Sequence, residues 1–366
     1  MKIAFFHELP FGGARRAVLE LGKALRKQHD IDLFYIDDSE ERNLGMFKKV
    51  FFNKFIPKKW HGNDWKAKLY IDTIELFKIY RLHNKITKEI DSNKYDFVFV
   101  HGSKYTQAPF ILSMLKTTSV YYCQEPLRII YEKLFDIPDN LSIERRVCEK
   151  INRKIRKIID RRNIESADIL LANSKFTKKN IKKAYNLIAK VCYMGVDDRI
   201  FYPENIDRNY DVLFIGSKDQ AEGYLLLKNA IKIMNKKPKV RYVLRENEWI
   251  TDDSVMRKLY SESKIFVSLS YKEPFGLQPI EAQACGTPVI AIKTGGYLET
   301  VIDGKTGFLI KNKPQILAHQ LLTLINNDES IKILGQNAIS NVKNNWTWEK
   351  SSKNLLNIIK KYLQNE

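Results

Sequence analysis

The chain has 366 residues, 44% of them apolar, and 62 Lys and Arg against 43 Asp and Glu give it a net charge of +19. That length exceeds what one core usually supports and predicts two domains, while the lack of any run of about 18 apolar residues excludes a spanning helix. Residues 1–190 hold 38 of the basic residues against 23 acidic ones, so the first half faces something acidic, whether nucleic acid, anionic lipid headgroups or a phosphorylated substrate.

The opening MKIAFFHELPFGG carries an apolar patch shorter than a signal h-region and broken at once by His7 and Glu8, which predicts a cytoplasmic chain. KIAFF (2–6), IDLFYI (31–36), YDFVFV (95–100), SVYYC (119–123) and DILLA (168–172) are near-continuous apolar runs, as expected of parallel strands covered on both faces. Between them ARRAVLELGKALRKQ (14–28) has a helical period, with Ala17, Leu21, Ala24 and Leu25 on one face. This alternation predicts a doubly wound α/β domain.

GVDDRIFYPENIDRNY (195–210) is polar, contains a proline and has neither period, so the domain boundary is expected there. A second set of strands follows in DVLFIG (211–216), VRYVLR (240–245), KIFVSL (264–269), PVIAI (288–292) and GFLI (307–310). Near the end, Leu355, Ile358, Ile359 and Leu363 form one apolar stripe. The expected division is a first domain over 1–194, a second over 195–348, and a last helix over 349–366 that packs back on the first. Two such domains leave a cleft at the carboxyl ends of both sheets, where ligands of these folds bind.

Cys123, Cys148, Cys192 and Cys285 stand far apart with no CxxC pair, each in or beside an apolar segment. They read as buried free thiols rather than metal ligands or a disulfide framework. Asp30 and Asp32 border a core strand and read as solvated flanking charge, not as a metal pair.

The stretch EPFGLQPIEAQACGTPVI (273–290) sets Glu273 and Glu281 around a turn that leads into a helix closed by Gly286. The backbone N–H groups of Phe275, Gly276 and Leu277 then point into the cleft with the positive end of the helix, which favours a phosphate. A carboxylate on each side suits a sugar nucleotide, one accepting sugar hydroxyls and the other ribose hydroxyls. The competing reading makes Glu273 a solvated loop acid and Glu281 a residue complementing the helix dipole.

The longer segment SYKEPFGLQPIEAQACGTPVIAIKTGGYLETVIDGKTGFLI (270–310) resembles the donor-site signature of the family 4 retaining glycosyltransferases, in which Glu273, Glu281, Gly286, Gly295, Gly296 and Glu299 fill the characteristic places. PFGGARRAVLELGKAL, SADILLANSKFTKKNI (166–181), VCYMGVDDRIFYP (191–203) and WTWEKSSKNLL extend the likeness over nearly the whole length. The resemblance implies the GT-B fold, two Rossmann-like domains facing a central cleft, with the acceptor on the first and a nucleotide-sugar donor on the second. It implies that Glu273 contacts the transferred sugar, that Pro274, Phe275, Gly276 and Leu277 hold the diphosphate, and that Glu281 holds the ribose. Gly12 and Gly13 would let the first βα loop approach the donor phosphate. Transfer with retention by front-face substitution, without a protein nucleophile, metal or other cofactor, belongs to the same implication.

Two departures from the family pattern stand out. Ser217 and Glu222 occupy the places of an Arg and a Lys that grip the donor phosphates, so Glu222 is expected to point away and Lys218 or Arg245 to supply the cation. Gln124 stands where relatives often carry a His; it can hydrogen-bond a sugar but cannot titrate. A catalytically degenerate paralogue acting as a binding or partner subunit is the alternative these changes raise. Glu125, Arg128 and His101 are further cleft candidates, His101 being equally readable as a hydrogen-bonded residue at a strand end.

In the basic half, MFKKVFFNKFIPKKWHGNDWKAK (46–68) interleaves Phe47, Phe51, Phe52, Phe55, Trp60 and Trp65 with Lys48, Lys49, Lys54, Lys58 and Lys59. KINRKIRKIIDRRN (150–163) adds a basic helix with Ile151, Ile155, Ile158 and Ile159 on one face. Aromatics and cations together suit the inner face of an anionic membrane and hence a lipid-linked acceptor, as in surface polysaccharide or glycolipid assembly; otherwise the aromatics are core and the lysines a solvated rim. Nucleic-acid binding is the remote alternative, since no helix-turn-helix, zinc-finger spacing or RNP-like strand is present.

Overall fold

The computed structural model describes residues 1–10, 12–41, 44–57, 71–132, 135–248 and 250–364. The chain divides into two compact units, the first made of Met1–Asn173, Thr177–Cys192 and the C-terminal stretch from Asn354, the second of Ser174–Phe176 and Tyr193–Lys353.

The first unit is built on a parallel sheet of seven strands, β1 (Lys2–Glu8), β2 (Asp30–Asp37), β3 (Lys49–Lys54), β4 (Phe97–Ser103), β5 (Ser119–Cys123), β6 (Ile169–Ala172) and β7 (Lys190–Val191), in the order β3-β2-β1-β4-β5-β6-β7. Strand side chains alternate between faces. Ala4, Phe6, Phe34, Ile36, Val98 and Val100 point to one core. On that face lie α2 (Leu76–Ser92), α3 (Ile143–Glu165) and α4 (Lys175–Tyr185), which supply Ile79, Ile86, Ile90, Ile164 and Ile181. On the opposite face Phe5 meets the rings of Phe47 and Phe99, and the Phe47 ring closes on Gly22 of α1 (Gly13–Leu25).

At the edge strand β3, Phe51 stacks on Phe34 at 4.3 Å between ring centroids, Phe52 lies 5.2 Å from Tyr35, and Phe55 meets Tyr105 edge-on at 5.5 Å. These rings are partly buried, Phe51 and Phe52 on opposite faces of the sheet, while Lys48, Lys49 and Lys54 are exposed. The parallel pairing of β3 to β2 puts each phenylalanine of β3 beside an aromatic of its neighbour, as the core reading of the described rings expects. Lys58, Lys59, Trp60 and Trp65 lie outside the described residues.

Helix α3 also differs from its expected pattern. Its core face carries Cys148, Asn152, Asp160, Asn163 and Ile164, whereas Ile151 and Ile158 are exposed. Two of the buried polar residues have firm local partners: Asp160 accepts from the Ala108 N–H at 3.1 Å and the Tyr185 hydroxyl at 2.7 Å, and Asn163 donates to the Ala108 carbonyl at 2.9 Å. Asp32, expected to be solvated, is 4% exposed and accepts from the Tyr95 hydroxyl at 2.8 Å, while Asp30 at the surface pairs with Lys48. All four cysteines are free and buried.

The second unit carries a five-stranded parallel sheet, β8 (Tyr210–Gly216), β9 (Val240–Leu244), β10 (Ser263–Ser268), β11 (Val289–Ile292) and β12 (Gly307–Ile310), in the order β12-β11-β10-β8-β9. Its helices are α5 (Tyr224–Ile233), α6 (Asp253–Ser261), α7 (Leu277–Ala284), α8 (Pro314–Ile325) and α9 (Asp328–Asn345). Helix α10 (Trp348–Leu363) ends the described chain; its Leu355 and Ile359 are fully buried, but Leu363, placed in the same stripe by the sequence, is 40% exposed. Among the described residues no helix is long and apolar enough to cross a membrane.

Burial pushes the Asp160 carboxyl up to about 7, its hydrogen bonds opposing the shift. The folded state therefore holds a proton that the unfolded carboxyl, near 3.9, releases first. Its contribution to stability is complete below about pH 4 and is lost as pH rises through about 7. Asp160→Asn is expected to flatten this dependence, by up to a few kcal/mol between pH 5 and pH 8 in denaturant titrations; an unchanged slope would show that Asp160 stays ionised when folded.

Candidate functional site

The second unit presents the 273–281 segment in a defined geometry. Strand β10 ends at Ser268, the chain turns through Lys272, which has φ of 54°, and α7 begins after Gly276 at φ of 93°. Only glycine adopts that last conformation without strain, and here a Cβ would also press on the Tyr297 ring at 3.0 Å. Phe275 is fully buried between Tyr193 and Trp346, so the residue before the helix is anchored by its ring. Ser174, grouped with this unit, donates its hydroxyl to the Pro274 carbonyl at 2.6 Å.

Gly295 and Gly296 lie directly against this turn. The Gly296 N–H donates to the Glu273 carbonyl at 2.7 Å, and a Cβ on Gly296 would stand 2.5 Å from the Phe275 Cα. Gly295, at φ of 65°, has the Glu273 backbone where its own Cβ would be. The two glycines thus form a second layer of backbone that fixes the main chain on which Glu273 sits. Tyr297, next in sequence, is buried and exchanges a hydrogen bond with Ser268 at 2.8 Å. Burial, reinforced by the charge of Glu273, pushes the Tyr297 hydroxyl well up from its usual range. Glu273 itself is half-buried.

Glu281 is 4% exposed and accepts from the Tyr260 hydroxyl at 3.0 Å. Glu299 is fully engaged: it accepts from the N–H groups of Lys175 and Phe176, both at 3.0 Å, and from the Tyr193 hydroxyl at 2.8 Å. Tyr260, Tyr193 and Tyr297 were not singled out by sequence. Each lies in a different element and carries no spacing signal; only the glycine pair before Tyr297 marks its neighbourhood.

In the loop after β8, one Glu222 carboxylate oxygen accepts from the Ser217 N–H at 3.0 Å and the other is ion-paired with Arg245. A negative charge beside Ser217 therefore brings Arg245 in as its counter-ion. Lys218 is exposed, its N–H donating to Glu246 at 2.9 Å. This loop is held against the one after β10, the Tyr271 N–H donating to the Ala221 carbonyl at 2.7 Å.

In the first unit the structure brings Gln124 to the glycine loop. Gly12, at φ of 147°, caps the exposed N-terminus of α1 with open space around it, and Gly13 is the first helical residue. The Gln124 side-chain amide donates to the Ala14 carbonyl at 3.3 Å, and the Gln124 carbonyl accepts from Thr177. The carbonyl of Glu125 accepts from Gln107 at 2.9 Å, and Arg128 pairs with Glu132 at 3.2 Å and packs over Phe135. His101 is a correction. It is completely buried among Phe5, Phe99 and Tyr122, and among the described residues neither ring nitrogen has a hydrogen-bond partner. Burial lowers its basicity well below the usual range, so it is a neutral core ring, neither a cleft residue nor a hydrogen-bonded strand end.

Comparison with known proteins agrees with this geometry. The model for glycosyl transferases group 1 matches residues 154–341, and that for glycosyltransferase family 4 matches residues 11–199. An uncharacterized glycosyltransferase of Methanocaldococcus jannaschii is 32% identical over 203 residues, 50% of this chain and 57% of that protein. A D-inositol 3-phosphate glycosyltransferase of Corynebacterium efficiens is 38% identical over 98 residues, 26% of this chain and 23% of that protein. These matches thus span from about a quarter to somewhat over half of each relative. Sucrose-phosphate synthase from Thermosynechococcus elongatus superposes with a TM-score of 0.73 at 17% identity over the whole of both chains. Anabaena HepE, solved with UDP-glucose, gives 0.70 at 18% identity over 99% of this chain and 100% of that one. The fold is accordingly GT-B, and the chain belongs to the family 4 glycosyltransferases, glycosyl transferases group 1.

Proposed function

We propose that the protein transfers a hexose-type sugar, with retention of configuration and without a metal, from a nucleotide-sugar donor to a saccharide or lipid-linked acceptor, as in surface polysaccharide or glycolipid assembly. The observation that carries this reading is the rigid Glu273–Leu277 turn, backed by Gly295 and Gly296 and opening α7. Its helix N-terminus suits a diphosphate, and Glu273 stands ahead of it where a donor's sugar would lie. Glu281, oriented by Tyr260, has acceptor capacity for ribose hydroxyls, since a carboxylate takes several donors. The structurally similar Anabaena protein was solved with UDP and with UDP-glucose, which favours a uridine donor for this chain too. In front-face substitution the leaving phosphate assists removal of the acceptor's proton, so the protein's task is orientation and stabilisation of charge on the diphosphate. The first unit would bind the acceptor, with Gln124 and Gly12–Gly13 at its edge.

The Glu222–Arg245 pair favours a second reading, a degenerate paralogue that binds without turnover, because it spends a cation of the donor unit on an internal carboxylate. Titration of UDP-glucose and GDP-mannose by thermal shift, with a slow sugar-release assay, separates the two. Glu273→Ala is expected to retain nucleotide stabilisation and to lose at least about a hundredfold in sugar release, as removal of a group acting on the transferring sugar does. Stabilisation by nucleotide sugars with no release from wild type would establish the degenerate reading, and no stabilisation by any of them would refute both.

Glu222→Gln releases Arg245 and keeps an acceptor for the Ser217 N–H; it is expected to tighten nucleotide-diphosphate binding several-fold at low salt, the gain fading as ionic strength rises. Isothermal titration at two salt concentrations reads this directly, and unchanged affinity would place Arg245 outside the phosphate's reach. Gly296→Ala is expected to lower sugar release by more than tenfold and to destabilise the second unit by about 2 kcal/mol or more, since backbone rather than a flexible side chain fills the space of the new methyl. Thermal melting and release assays on the same preparation check both.

A further inference from the structure

We infer that the outer face of α3, together with the neighbouring face of α2, is a docking surface for an anionic lipid bilayer. This deepens the proposed function by giving a lipid-linked acceptor a place of approach, and rests on that reading only to that extent.

The case begins with side chains on the wrong side of a helix. Ile143, Val147, Ile151 and Ile158 are 79%, 50%, 52% and 60% exposed. Their spacing of four, four and seven residues sets them in one row along α3, on the side opposite Asn152 and Asn163, which face the core. Branched apolar residues at these positions serve neither the fold nor helix propensity, because the helix packs on the core through its opposite side, with Cys148, Asn152, Asp160, Asn163 and Ile164. Single exposed apolar residues are ordinary, but four share one side of this 23-residue helix, with Lys154 set among them between Ile151 and Ile158.

The flanks identify the occupant. Lys150, Lys154 and Lys157, all exposed, run beside the stripe, and Arg161 and Arg162 continue the exposed basic row at its end. Within that arc the acids Glu144 and Glu165 stand at the two ends of the helix, Glu165 paired with Arg161. A protein partner's groove would match the isoleucines, but a row of cations along one side of exposed apolar residues is the composition of a helix lying in a headgroup layer.

A second helix extends the surface. The turn Phe110–Ser113 packs against both α2 and α3, so the two are neighbours on one face of the first sheet. Ile74 and Phe77, at the start of α2, are 48% and 54% exposed, and Arg81, Lys85 and Lys88 follow on the same side of that helix. The pattern of apolar residues bordered by cations thus recurs on the adjoining element. Phe51, Phe52 and Phe55, given this role by sequence, are occupied inside the sheet; the isoleucines of α3 take their place.

The test is co-sedimentation of the full chain with vesicles of phosphatidylcholine alone and of an equal mixture with phosphatidylglycerol, at low and high salt. Wild type is expected to bind the mixed vesicles at least about tenfold more tightly than neutral ones, each nearby cation contributing about fivefold. The pair Ile151→Asp with Ile158→Asp, and separately the triple Lys150→Glu, Lys154→Glu, Lys157→Glu, are each expected to reduce binding by about tenfold or more while melting temperature and nucleotide-sugar stabilisation stay at wild-type values. Equal partitioning to both vesicle types, or binding untouched by either set of changes, overturns the inference. So does preferential binding of random oligonucleotides that competes the protein off the vesicles. Loss of nucleotide-sugar stabilisation in wild type would bear on the proposed function alone, because vesicle binding is read without a donor.

Discussion

The donor unit depends on one close approach of backbone to backbone. Gly295 and Gly296 occupy the space beside Glu273, Pro274 and Phe275 that any side chain would fill, and the Gly296 N–H to Glu273 carbonyl bond ties the two layers at 2.7 Å. A carboxylate on a free loop samples many positions, whereas one on a clamped loop is held in place. Here the loop is clamped on one side by the glycine pair, on another by the buried Phe275 ring, and at Pro274 by the Ser174 hydroxyl. The positive-φ residues of this segment, Lys272, Gly276 and Gly295, gather where that clamp acts, and of these only Lys272 is strained.

Charge in the same unit is handled by pairing at short range. Glu299 takes two backbone N–H groups and a tyrosine hydroxyl, Glu281 a tyrosine hydroxyl, and Glu222 an N–H and a guanidinium. Of the carboxylates in the signature, Glu281 and Glu299 are thereby given fixed orientations by groups that cannot move far. Burial raises the tyrosine hydroxyls of Tyr193 and Tyr297, so both stay neutral across the physiological range, Tyr193 donating to Glu299 and Tyr297 accepting from Ser268.

Much of this architecture is legible in the sequence because burial on both faces writes itself as unbroken apolar runs. The strands at 2–6, 31–36, 119–123 and 211–216 are found within a residue or two of where those runs lie. The edge strands β3 and β7 escaped, the first because its adjacent phenylalanines, bounded by lysines, show no strand period and the second because two residues carry none. Glycine positions in the donor unit are readable for the same physical reason, since only glycine tolerates backbone at van der Waals distance. Partners brought together across the chain are not: nothing local in FIGSKDQAEG reveals that Glu222 closes on Arg245, and nothing in YDFVFVH reveals that His101 is enclosed by three rings. Asp32 and Asp160 show the same limit, each being charged by type but buried against a tyrosine hydroxyl contributed from 63 and 25 residues away.

The basic excess of the first half shows why composition and structure must be read together. Spread over 190 residues, a surplus of cations indicates an acidic partner without a location. Once β3 takes its phenylalanines into the sheet, the aromatic segment no longer distinguishes a membrane face from an ordinary rim. The isoleucines of α3 restore the distinction, because exposed branched apolar side chains cost solubility and return nothing to the core. A surface with four of them along one side of a helix, beside a row of lysines, is shaped by what it touches rather than by what it covers.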